Sequence, residues 1–520
     1  MPDDKGLILW VDDEIDLLRP HVLFLEEKGY SVTTVTNAED ALELVRGANF
    51  DLILLDEMLN GMDGLSALNE FKNIRPGLPV IMVTKNEEES LMEQAIGGKI
   101  DDYLTKPVNP SQILLVCKKI LQKRKIAGER ISRDYTSEFN QIAMRLMGGM
   151  EWQDWIDVHL RLCEYDIELD QHPDLGLKQI LYDQKRECNA EFGRFVEKNY
   201  LAWLGAAGAP PLSVDIVPRY VLPHVRAGRR TLLMVLDNLR LDQWLVVEPL
   251  LREFFNIRRE YYFSILPTAT PYARNAIFSG LFPSEIEKQL PELWTQGDEN
   301  DDVSCNRFES QLLEEQLRRA GVELKPGPKY AKVLDMQEHR LIARKIQEFG
   351  DLPLSSIVIN FVDILAHSRS SSELIKEMIP NESAFRSLTK SWFEHSHMYL
   401  ALQQLAQSGS TVIITSDHGS IRGLRGAKVI GDRETSTSLR YKYGRNIKAD
   451  AKNAMVIRDP RQYRLPVRGV NTNYLIAKED FYFVYPTNYH YYLNYYADSF
   501  QHGGISMEEM VLPVITMEPK

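Results

Sequence analysis

The sequence has few cysteines, no long apolar run and no excess of positive charge. Its four cysteines, at positions 117, 163, 188 and 305, stand far apart, which argues against a disulfide framework and against a C-x-x-C zinc site. No stretch approaches the roughly 18 consecutive apolar residues of a membrane span, and no basic, apolar leader precedes LILWVDDE. We therefore expect a cytoplasmic chain with reduced thiols.

The charge balance limits the classes of partner. The 520 residues include 61 Lys and Arg against 74 Asp and Glu, a net charge of −13. Such acidity disfavours nucleic-acid binding through bulk charge, although a local basic pocket is still allowed. With 44% hydrophobic and 26% charged residues, and only 30 glycines and 25 prolines, the composition excludes a mostly disordered or fibrous chain.

Apolar periodicity divides the chain into three predicted domains. Residues 1–122 alternate strand-like runs (LILWV, LILL, VIMVT) with amphipathic helices, which is typical of an α/β, doubly wound sheet. Residues 123–208 show only helical spacing, as from Phe139 to Leu146, and predict a helical linker bundle. After GAAGAPPLS, residues 209–520 return to strand-like runs (TLLMVL, SIVINFV, TVIITS) separated by helices, which predicts a second α/β domain.

Aspartates follow directly after the strand-like runs of both α/β domains. They are Asp12, Asp13 and Asp56 in the first domain and Asp237, Asp363 and Asp417 in the last. Ligands of open α/β sheets bind outside the carboxyl ends of the strands, so we expect these groups to converge on one site in each domain. A single Asp at such a place is more often a helix N-cap.

In the first domain, three carboxylates would form an acidic pocket. Such a cluster requires a cation, and hard oxygen ligands suit Mg²⁺. Thr84 ends another strand and supplies a hydroxyl, while Lys106 supplies a positive charge. Carboxylate, metal, hydroxyl and lysine together can transfer and hold a phosphoryl group.

At these residues the first domain resembles two-component receiver domains. The matching motifs are WVDDE, LLDEMLNGMDG, MVT and DDYLTKP. The resemblance implies that a sensor histidine kinase phosphorylates Asp56. It implies Mg²⁺ ligation by Asp13, Asp56 and the Met58 carbonyl with help from Asp12, phosphoryl contacts from Thr84 and Lys106, and an aromatic switch at Tyr103. A receiver-like fold that no longer accepts a phosphoryl group is the alternative.

Histidines accompany the aspartates of the last domain. His367 lies four residues after Asp363, His418 directly follows Asp417, and His502 stands in QHGGIS. A lone His is more often a polar surface or core residue, but this set is large enough for two metals, and imidazole with carboxylate suits zinc. Two metals can clamp the attacking and leaving oxygens of a displacement at phosphorus. Thr270, before Pro271 and a helical run, is the candidate nucleophile, with a simple N-cap as its alternative.

The last domain resembles the PglZ-type domains of the alkaline phosphatase superfamily, which have a mixed central sheet. The matching segments are VLDNLRLDQW, PTATPYARNAIFSGLFP, NFVDILAH, TSDHGS and QHGGISMEE. The resemblance implies one zinc held by Asp237, Thr270, Asp417 and His418, and another held by Asp363, His367 and His502. It implies a covalent phosphothreonine at Thr270, and this threonine favours nucleotide diesters over monoesters. Arg274 is a candidate phosphate contact, with a surface arginine as the alternative.

Two segments near the last predicted ligands bear on substrate binding. Lys442 and Arg445 are candidate contacts to substrate phosphates. The tyrosine-rich stretch 481–496 offers rings that can stack on bases. The alternative, which the pattern favours, is that these tyrosines are ordinary strand residues facing alternate sides.

The order of receiver, helical linker and PglZ-type domain resembles the PorX-type response regulators, which are tied to the type IX secretion system. That resemblance implies a histidine kinase partner, with a sigma factor and a secretion-motor component as further candidates. It also implies a homodimer promoted by phosphorylation, through a receiver face that includes Glu88 to Ile100. The predicted output is a zinc phosphodiesterase acting on nucleotides or oligonucleotides; a catalytically silent, metal-bound scaffold is the alternative. Sequence-specific DNA binding is disfavoured because no DNA-binding module with a recognition helix is recognisable in the sequence.

Overall fold

The computed structural model describes residues 5–75, 77–85, 100–206, 208–295, 305–431 and 438–520. The chain forms two compact units, Met1–Asn140 with Glu168–Lys178, and Gln141–Ile167 with Gln179–Lys520. The first contains the predicted doubly wound sheet, and the second contains the last predicted domain with much of the helical segment. The domain boundaries placed at residues 122 and 208 stay predictions.

The first unit is built on a parallel sheet of five strands in the order β2-β1-β3-β4-β5. Residues such as Leu9 and Trp10 alternate between hydrophobic clusters on its two faces, which explains the continuous apolar runs. Its elements are β1 Leu7–Val11, α1 Arg19–Glu27, β2 Ser31–Val35, α2 Ala38–Gly47, β3 Leu52–Asp56, α3 Gly64–Ile74, β4 Val80–Thr84, β5 Asp102–Thr105 and the start of α4 Pro110–Gly148. The strand order reverses between β1 and β3, where ligands of such sheets bind.

The segment predicted to be helical contains no strand in its described residues. Its helices are α4, which ends at Gly148, α5 Trp152–Asp170 and α6 Lys178–Trp203. Short 3-10 or π turns elsewhere are Ile15–Leu18, Pro173–Leu175, Ser213–Asp215, Val217–Val221, Glu248–Leu250 and Pro291–Leu293. Among the residues that the structure describes, we find no helix with the length and hydropathy needed to cross a membrane.

The second unit centres on a six-stranded mixed sheet in the order β7-β19-β10-β6-β9-β8. The central strands are β6 Thr231–Leu236, β7 Phe255–Phe263, β8 Lys329–Val333, β9 Leu354–Ile359, β10 Thr411–Thr415 and β19 Val511–Pro519. Strands β10, β6, β9 and β8 are parallel, while β19 is antiparallel to β10 and β7. The predicted α/β class with a mixed central sheet is confirmed.

Helices cover both faces of this sheet, and two hydrophobic clusters fill the layers between them. The helices are α7 Leu222–Arg226, α8 Leu241–Val247, α9 Thr270–Ser279, α10 Pro283–Gln289, α11 Glu309–Arg319, α12 Met336–Arg344, α13 Ile346–Gly350, α14 Phe361–Ser371, α15 Glu373–Met378, α16 Glu382–His395, α17 His397–Gln407, α18 Tyr489–Tyr496 and α19 Met507–Met510. The smaller sheets use β11 Ile421–Gly423, β12 Arg425–Ile430, β13 Tyr441–Arg445, β14 Lys448–Ala449, β15 Ala454–Ile457, β16 Thr472–Ala477, β17 Phe481–Val484 and β18 Ser499–Gln501.

The predicted strand SIVINFV ends earlier than its apolar run suggests. Strand β9 stops at Ile359, and helix α14 begins at Phe361. The reason is a change of period, because Val362 and Ala366, four residues apart, both pack into the core. Asp363 therefore lies in the first turn of a helix and not directly at a strand end.

The tyrosine-rich stretch is only partly a strand. Strand β17 covers Phe481–Val484 and buries Tyr482, as the strand interpretation predicts. The second half forms helix α18, and no residue of this helix is buried. The strand interpretation is therefore wrong for the tyrosines from position 489 onward.

Candidate functional site

The aspartates of the second unit come together at one edge of the central sheet. Neighbouring parallel strands β9, β6 and β10 end in register, with Leu236 beside Ile359 and Val235 beside Thr415. Asp237 follows β6 and Asp417 lies two residues beyond β10. The parallel register therefore places groups that are far apart in sequence at the carboxyl edge where ligands bind.

Asp237, Asp417 and His418 form the first cluster of ligand-type side chains. One ligand atom from each lies within 4.8 Å of the others. His418 Nε2 is 3.6 Å from Asp237 Oδ1 and 3.8 Å from Asp417 Oδ2. The other ring nitrogen, Nδ1, lies 3.2 Å from the Gly419 carbonyl. With the proton on Nδ1 donated to this carbonyl, Nε2 is available to a metal.

Asp363, His367 and His502 form the second cluster. Asp363 and His367 stand four residues apart on α14, so both side chains project from one face of the helix. Asp363 Oδ1 is 3.4 Å from His367 Nε2 and 3.8 Å from His502 Nε2. The rings of His418 and His502 stack with centroids 4.2 Å apart, which brings the two clusters next to each other.

Burial controls the protonation of both clusters. It lowers the pKa of His418 to about 4 and that of His502 to about 3, so both rings are neutral at pH 7. Burial also raises the pKa of Asp237 and, with the charge of Asp237, that of Asp417. Burial acts in the same direction on Asp363, but its interactions with His367, His502 and His418 together outweigh burial and lower the pKa of this carboxyl. Neutral imidazoles and carboxylates are the forms that bind metals.

The donor set fits metal ions. Among the described residues, the buried atoms Asp237 Oδ1, Asp417 Oδ2 and His502 Nδ1 have no hydrogen-bond partner. Buried carboxylate oxygens are rarely left in this state unless an ion or water satisfies them. Nitrogen and oxygen donors in two adjacent groups of three are the ligands expected of a two-zinc site.

Thr270 is the first residue of α9, where Pro271 fixes the start of the helix. Its hydroxyl oxygen lies 2.9 Å from His418 Nε2, and the residue is completely buried. The Thr270 carbonyl accepts a hydrogen bond from the Asn306 amide at 3.3 Å. The hydroxyl thus lies beside the first cluster, at a helix N-terminus that favours anions.

The position of Arg274 contradicts one of the two sequence-based alternatives. It is completely buried, so it is not a surface arginine. Its guanidinium hydrogen-bonds Asp237 through Nη1 and Glu309 through Nε, and Nη1 is 3.8 Å from Asp417 Oδ2. Arg274 therefore contacts the carboxylates of the first cluster, and its role as a phosphate contact stays a prediction.

Sequence reasoning missed Asn238, which links the two clusters. Its amide nitrogen donates to Asp363 Oδ1 at 3.1 Å, and its backbone N–H lies 3.4 Å from Asp417 Oδ1. Its φ is +64°, a conformation that asparagine tolerates better than most residues. The sequence signal that could have identified Asn238 was therefore an asparagine directly after the aspartate that follows a strand.

A second missed group supports the segment that carries His418. Ser416 Oγ accepts a hydrogen bond from the Leu239 N–H at 2.9 Å and donates to the His418 carbonyl at 2.7 Å. Ser264 Oγ donates to the Asp417 carbonyl at 2.6 Å. These bonds fix the backbone on which two of the ligand-type side chains stand.

The helical segment contributes to the frame of this site. On α6, Asn189 accepts from the Met507 N–H at 2.8 Å and donates to Glu508 at 2.9 Å, close after His502 in sequence. A buried chain of ion pairs also runs through the second unit; its members are Lys185, Asp166, Arg386, Asp242 and Arg240. Helices α5 and α6 are thus part of the packing around the strand-end loops.

The predicted phosphate contacts on β13 differ in burial. Lys442 is buried, and its ammonium lies 5.1 Å from the centre of the Tyr485 ring. Arg445, at the end of the strand, is exposed. Their roles in substrate binding stay predictions.

In the first unit, the predicted acidic pocket is formed at the switch point between β1 and β3. Asp12, Asp13 and Asp56 each offer an oxygen within 4.8 Å of the others. Lys106 Nζ is 2.9 Å from Asp12 Oδ2 and 2.8 Å from Asp56 Oδ2. Burial raises the pKa of Asp56 although Lys106 opposes it. The Asn60 amide donates to Asp13 Oδ2 at 2.8 Å.

The remaining predicted receiver residues lie around this pocket. The Met58 N–H lies 3.4 Å from Asp56 Oδ1, so the loop that carries the Met58 carbonyl folds back towards the acceptor. Thr84 donates its hydroxyl proton to Glu57, and Tyr103 is partly exposed. The predicted face through Glu88 to Ile100 lies, apart from Ile100, outside the described residues.

Three family models match consecutive parts of the chain. A response regulator receiver domain matches residues 8–118, the PorX response regulator linker domain matches 125–204, and the BREX system PglZ alkaline phosphatase-like domain matches 216–517. The last match covers more than half of the 520 residues. The chain belongs to the PglZ family. Its three matches together are those of a PorX-type response regulator.

Two relatives match the chain over stretches about as long as the receiver domain. The chain is 34% identical over 116 residues to the transcriptional regulatory protein ResD of Bacillus subtilis, covering 22% of this chain and 48% of that protein. It is 37% identical over 126 residues to AlgB, an alginate biosynthesis transcriptional regulatory protein of Pseudomonas putida, covering 24% and 28%. The chain thus spans less than half the length of these two relatives.

Among solved structures, a CheY-like receiver domain protein from Methanospirillum hungatei JF-1 is 31% identical. The match covers 23% of this chain and 97% of that one, with a TM-score of 0.23. A receiver domain implies a cognate sensor kinase, and an alkaline phosphatase-like domain suggests a hydrolase of that superfamily.

Proposed function

We propose that this PglZ-family response regulator is a phosphorylation-controlled phosphodiesterase that acts on nucleotide or oligonucleotide diesters. The observation that carries the proposal is the position of the Thr270 hydroxyl, 2.9 Å from His418 Nε2 and beside two adjacent clusters of three ligand-type side chains. A pure scaffold has no need of a buried hydroxyl at this place.

The two clusters are proposed to hold two zinc ions. Asp237, Asp417 and His418, with Thr270, would hold one, and the second cluster would hold the other. Zinc bound there would supply Lewis-acid polarisation of phosphoryl oxygens and a lowered hydroxyl pKa. The receiver pocket, with oxygen donors only, is proposed to hold Mg²⁺.

The chain's own residues supply the nucleophile and its orientation. The Thr270 oxygen forms a bond to phosphorus while the bond from phosphorus to the leaving alcohol breaks, which leaves a phosphothreonine ester. Water then cleaves this ester and restores the hydroxyl. Pro271 and the hydrogen bond to Asn306 fix the helix start, so the hydroxyl is held in place before substrate binds.

The receiver is proposed to control this output through Asp56. Its carboxylate lies against Lys106 and beside Asp12 and Asp13, the arrangement expected of a phosphoryl acceptor. Phosphorylation by a histidine kinase is proposed to promote a homodimer. A sigma factor and a secretion-motor component, and with them type IX secretion, are proposed as the setting on the ground of the PorX-type arrangement.

The experiment compares hydrolysis of a bis-aryl phosphate and of the matching monoester by the full chain. Thr270→Ala should abolish diester cleavage while two zinc ions per chain remain by elemental analysis. Thr270→Ser, which keeps a hydroxyl, is the matched control and should retain part of the activity. If wild type and Thr270→Ala are equally inactive with zinc bound, the proposal fails and the scaffold alternative gains.

A further inference from the structure

Helix α18 exposes an unusual aromatic surface. Residues 481–496 contain seven of the 23 tyrosines and no Asp or Glu, in a chain with a net charge of −13. None of the helix residues is buried, and Tyr491 and Tyr495 are 63% and 56% exposed. Exposed aromatic surface of this extent is uncommon and marks contact sites.

The tyrosine rings are arranged as two stacked pairs. Tyr491 and Tyr495 stack with centroids 6.0 Å apart and planes 13° apart, and Tyr492 and Tyr496 stack at 5.8 Å and 13°. The rings one residue apart are nearly perpendicular, at 83° and 80°. The i, i+4 spacing of the helix therefore builds two parallel rows of rings, which we call the tyrosine ladder.

The neighbourhood of the ladder carries little uncompensated negative charge. The nearest acidic residues in sequence, Asp480 and Asp498, are ion-paired with Arg425 and Arg422. On β12, Gly426 meets Leu493 of α18, and alternation along the strand puts the exposed Lys428 on the same face. Aromatic rings with an adjacent cation and without free carboxylates suit a nucleic acid better than a sugar, whose hydroxyls call for acidic acceptors.

The ladder is connected directly to the candidate centre. Only five residues separate Tyr496 from His502, and three of them form β18. Strand β18 pairs with β11, which begins three residues after His418. The six steps along the chain from Tyr496 to His502 span at most about 21 Å. Bases stacked at about 3.4 Å each would bridge that distance with about six nucleotides or fewer.

We propose that the tyrosine ladder is a stacking platform for the bases of a single-stranded oligonucleotide whose scissile diester lies at Thr270. The inference rests on the proposed function and names the surface that would hold the bases of its substrate. A strand of up to about six nucleotides is long enough to reach from the ladder to the candidate centre.

The test measures binding, so that it does not depend on turnover. Fluorescence anisotropy of fluorescein-labelled thymidine hexamer and dimer is recorded with zinc-loaded, full-length Thr270→Ala protein, with and without Tyr491→Ala and Tyr495→Ala together. The ladder variant should weaken hexamer binding about thirty-fold and dimer binding much less, because a dimer held at the centre has few bases left to stack on the rings.

Two controls keep the result specific. Tyr491→Phe with Tyr495→Phe keeps the ring faces and should retain hexamer binding within about three-fold. Tyr182→Ala removes a partly exposed tyrosine from α6 and should have no effect.

The stacking platform is refuted if the ladder variant binds the hexamer as well as the parent protein does. It is also refuted if the Phe variant loses as much hexamer binding as the Ala variant. A protein partner then becomes the better occupant of the ladder. The proposed function is tested separately, by measuring cleavage of the bis-aryl diester. If the diester is cleaved but hexamer binding does not depend on the tyrosine ladder, only the stacking platform is refuted. If hexamer binding depends on the ladder but the diester is not cleaved, only the proposed enzymatic activity is refuted.

Discussion

The receiver pocket and the first cluster of the PglZ domain both crowd acidic groups together, but a different cation offsets the negative charge in each. Both gather three acidic or imidazole groups at the carboxyl ends of parallel strands. In the receiver, Lys106 lies directly on the acceptor, 2.8 Å from Asp56. In the PglZ domain, the completely buried Arg274 pairs with Asp237, and histidines complete the set of donors.

The difference fits what each pocket is proposed to hold. A lysine is a point charge on a flexible stem and can be shared between a carboxylate and an incoming phosphoryl group. The Arg274 guanidinium, fixed on Asp237 and Glu309, cannot move in this way, but it orients carboxylates that are proposed to face a metal. The two cations therefore suit the two proposed roles, phosphorylation in the receiver and metal-assisted hydrolysis in the PglZ domain.

The largest effect should come from removing the buried arginine. Arg274→Met leaves Asp237, Asp417 and Glu309 without their common cation, and breaking a buried pair of this kind costs about 3–5 kcal/mol. We expect a loss of that size in the free energy of unfolding of metal-free protein, measured by urea titration in chelator. The loss should shrink in zinc-loaded protein, because bound cations would offset the same carboxylates.

Arg318→Met is the matched control. Its guanidinium pairs with Glu315 but is 74% exposed, so its loss should cost less than about 1 kcal/mol. Equal losses for the two variants, or a loss at Arg274 that zinc does not change, would contradict the role assigned to the buried arginine.

An intermediate effect should come from Asn238, whose amide donates to a cluster carboxylate as the Asn60 amide does in the receiver pocket. Asn238→Gly keeps the φ of +64° accessible but removes the amide that donates to Asp363. Loss of a group that orients a ligand typically weakens metal binding about 10- to 100-fold. Competition with a fluorescent zinc chelator measures this change.

Asn471→Gly provides the control for backbone effects. It also has a positive φ, of 59°, but lies on the surface. An equal change in zinc affinity for both variants would show that the amide of Asn238 contributes nothing of its own.

Sequence periodicity was sufficient for the most deeply buried strands of the two central sheets. Runs that are buried on both faces, such as TLLMVL, leave little choice of structure, and β6 covers the same six residues. The start of α14 was misjudged because Phe361 and Val362 extend an apolar run that looks like a strand. Only the packing of Val362 with Ala366 against the core separates the two interpretations.

The contacts in the candidate site also differ in how far the sequence could predict them. Asp363 and His367 could be paired from their spacing of four residues, since this spacing is local. The pairing of Arg274 with Glu309 could not, because the two residues meet only through tertiary packing across 35 positions. The exposed face of α18 was also beyond prediction, as alternating and helical aromatic patterns overlap in a stretch so rich in tyrosine.

The smallest effect is expected from a substitution of Asp56, on the free energy of unfolding. Burial raises the pKa of Asp56, so the folded protein holds a proton there more readily than the unfolded chain does. Its ionisation therefore opposes folding once the pH exceeds the ordinary carboxyl value of about 4. Asp56→Asn should then raise the free energy of unfolding of the receiver by on the order of 1 kcal/mol at pH 7.

The gain should grow as the pH rises from the ordinary carboxyl value of about 4 to the raised pKa of Asp56 and level off above it; it should vanish below about pH 3, where both states are protonated at this carboxyl. Amide hydrogen exchange of β1 and β3 in the full chain, compared with wild type at each pH, reports it. Asp16→Asn, whose carboxylate is exposed, should give no such trend. A stabilisation that is the same at pH 3 and pH 7 would mean that Lys106 already offsets the buried charge of Asp56, and the electrostatic contrast between the two pockets would be smaller than their geometry implies.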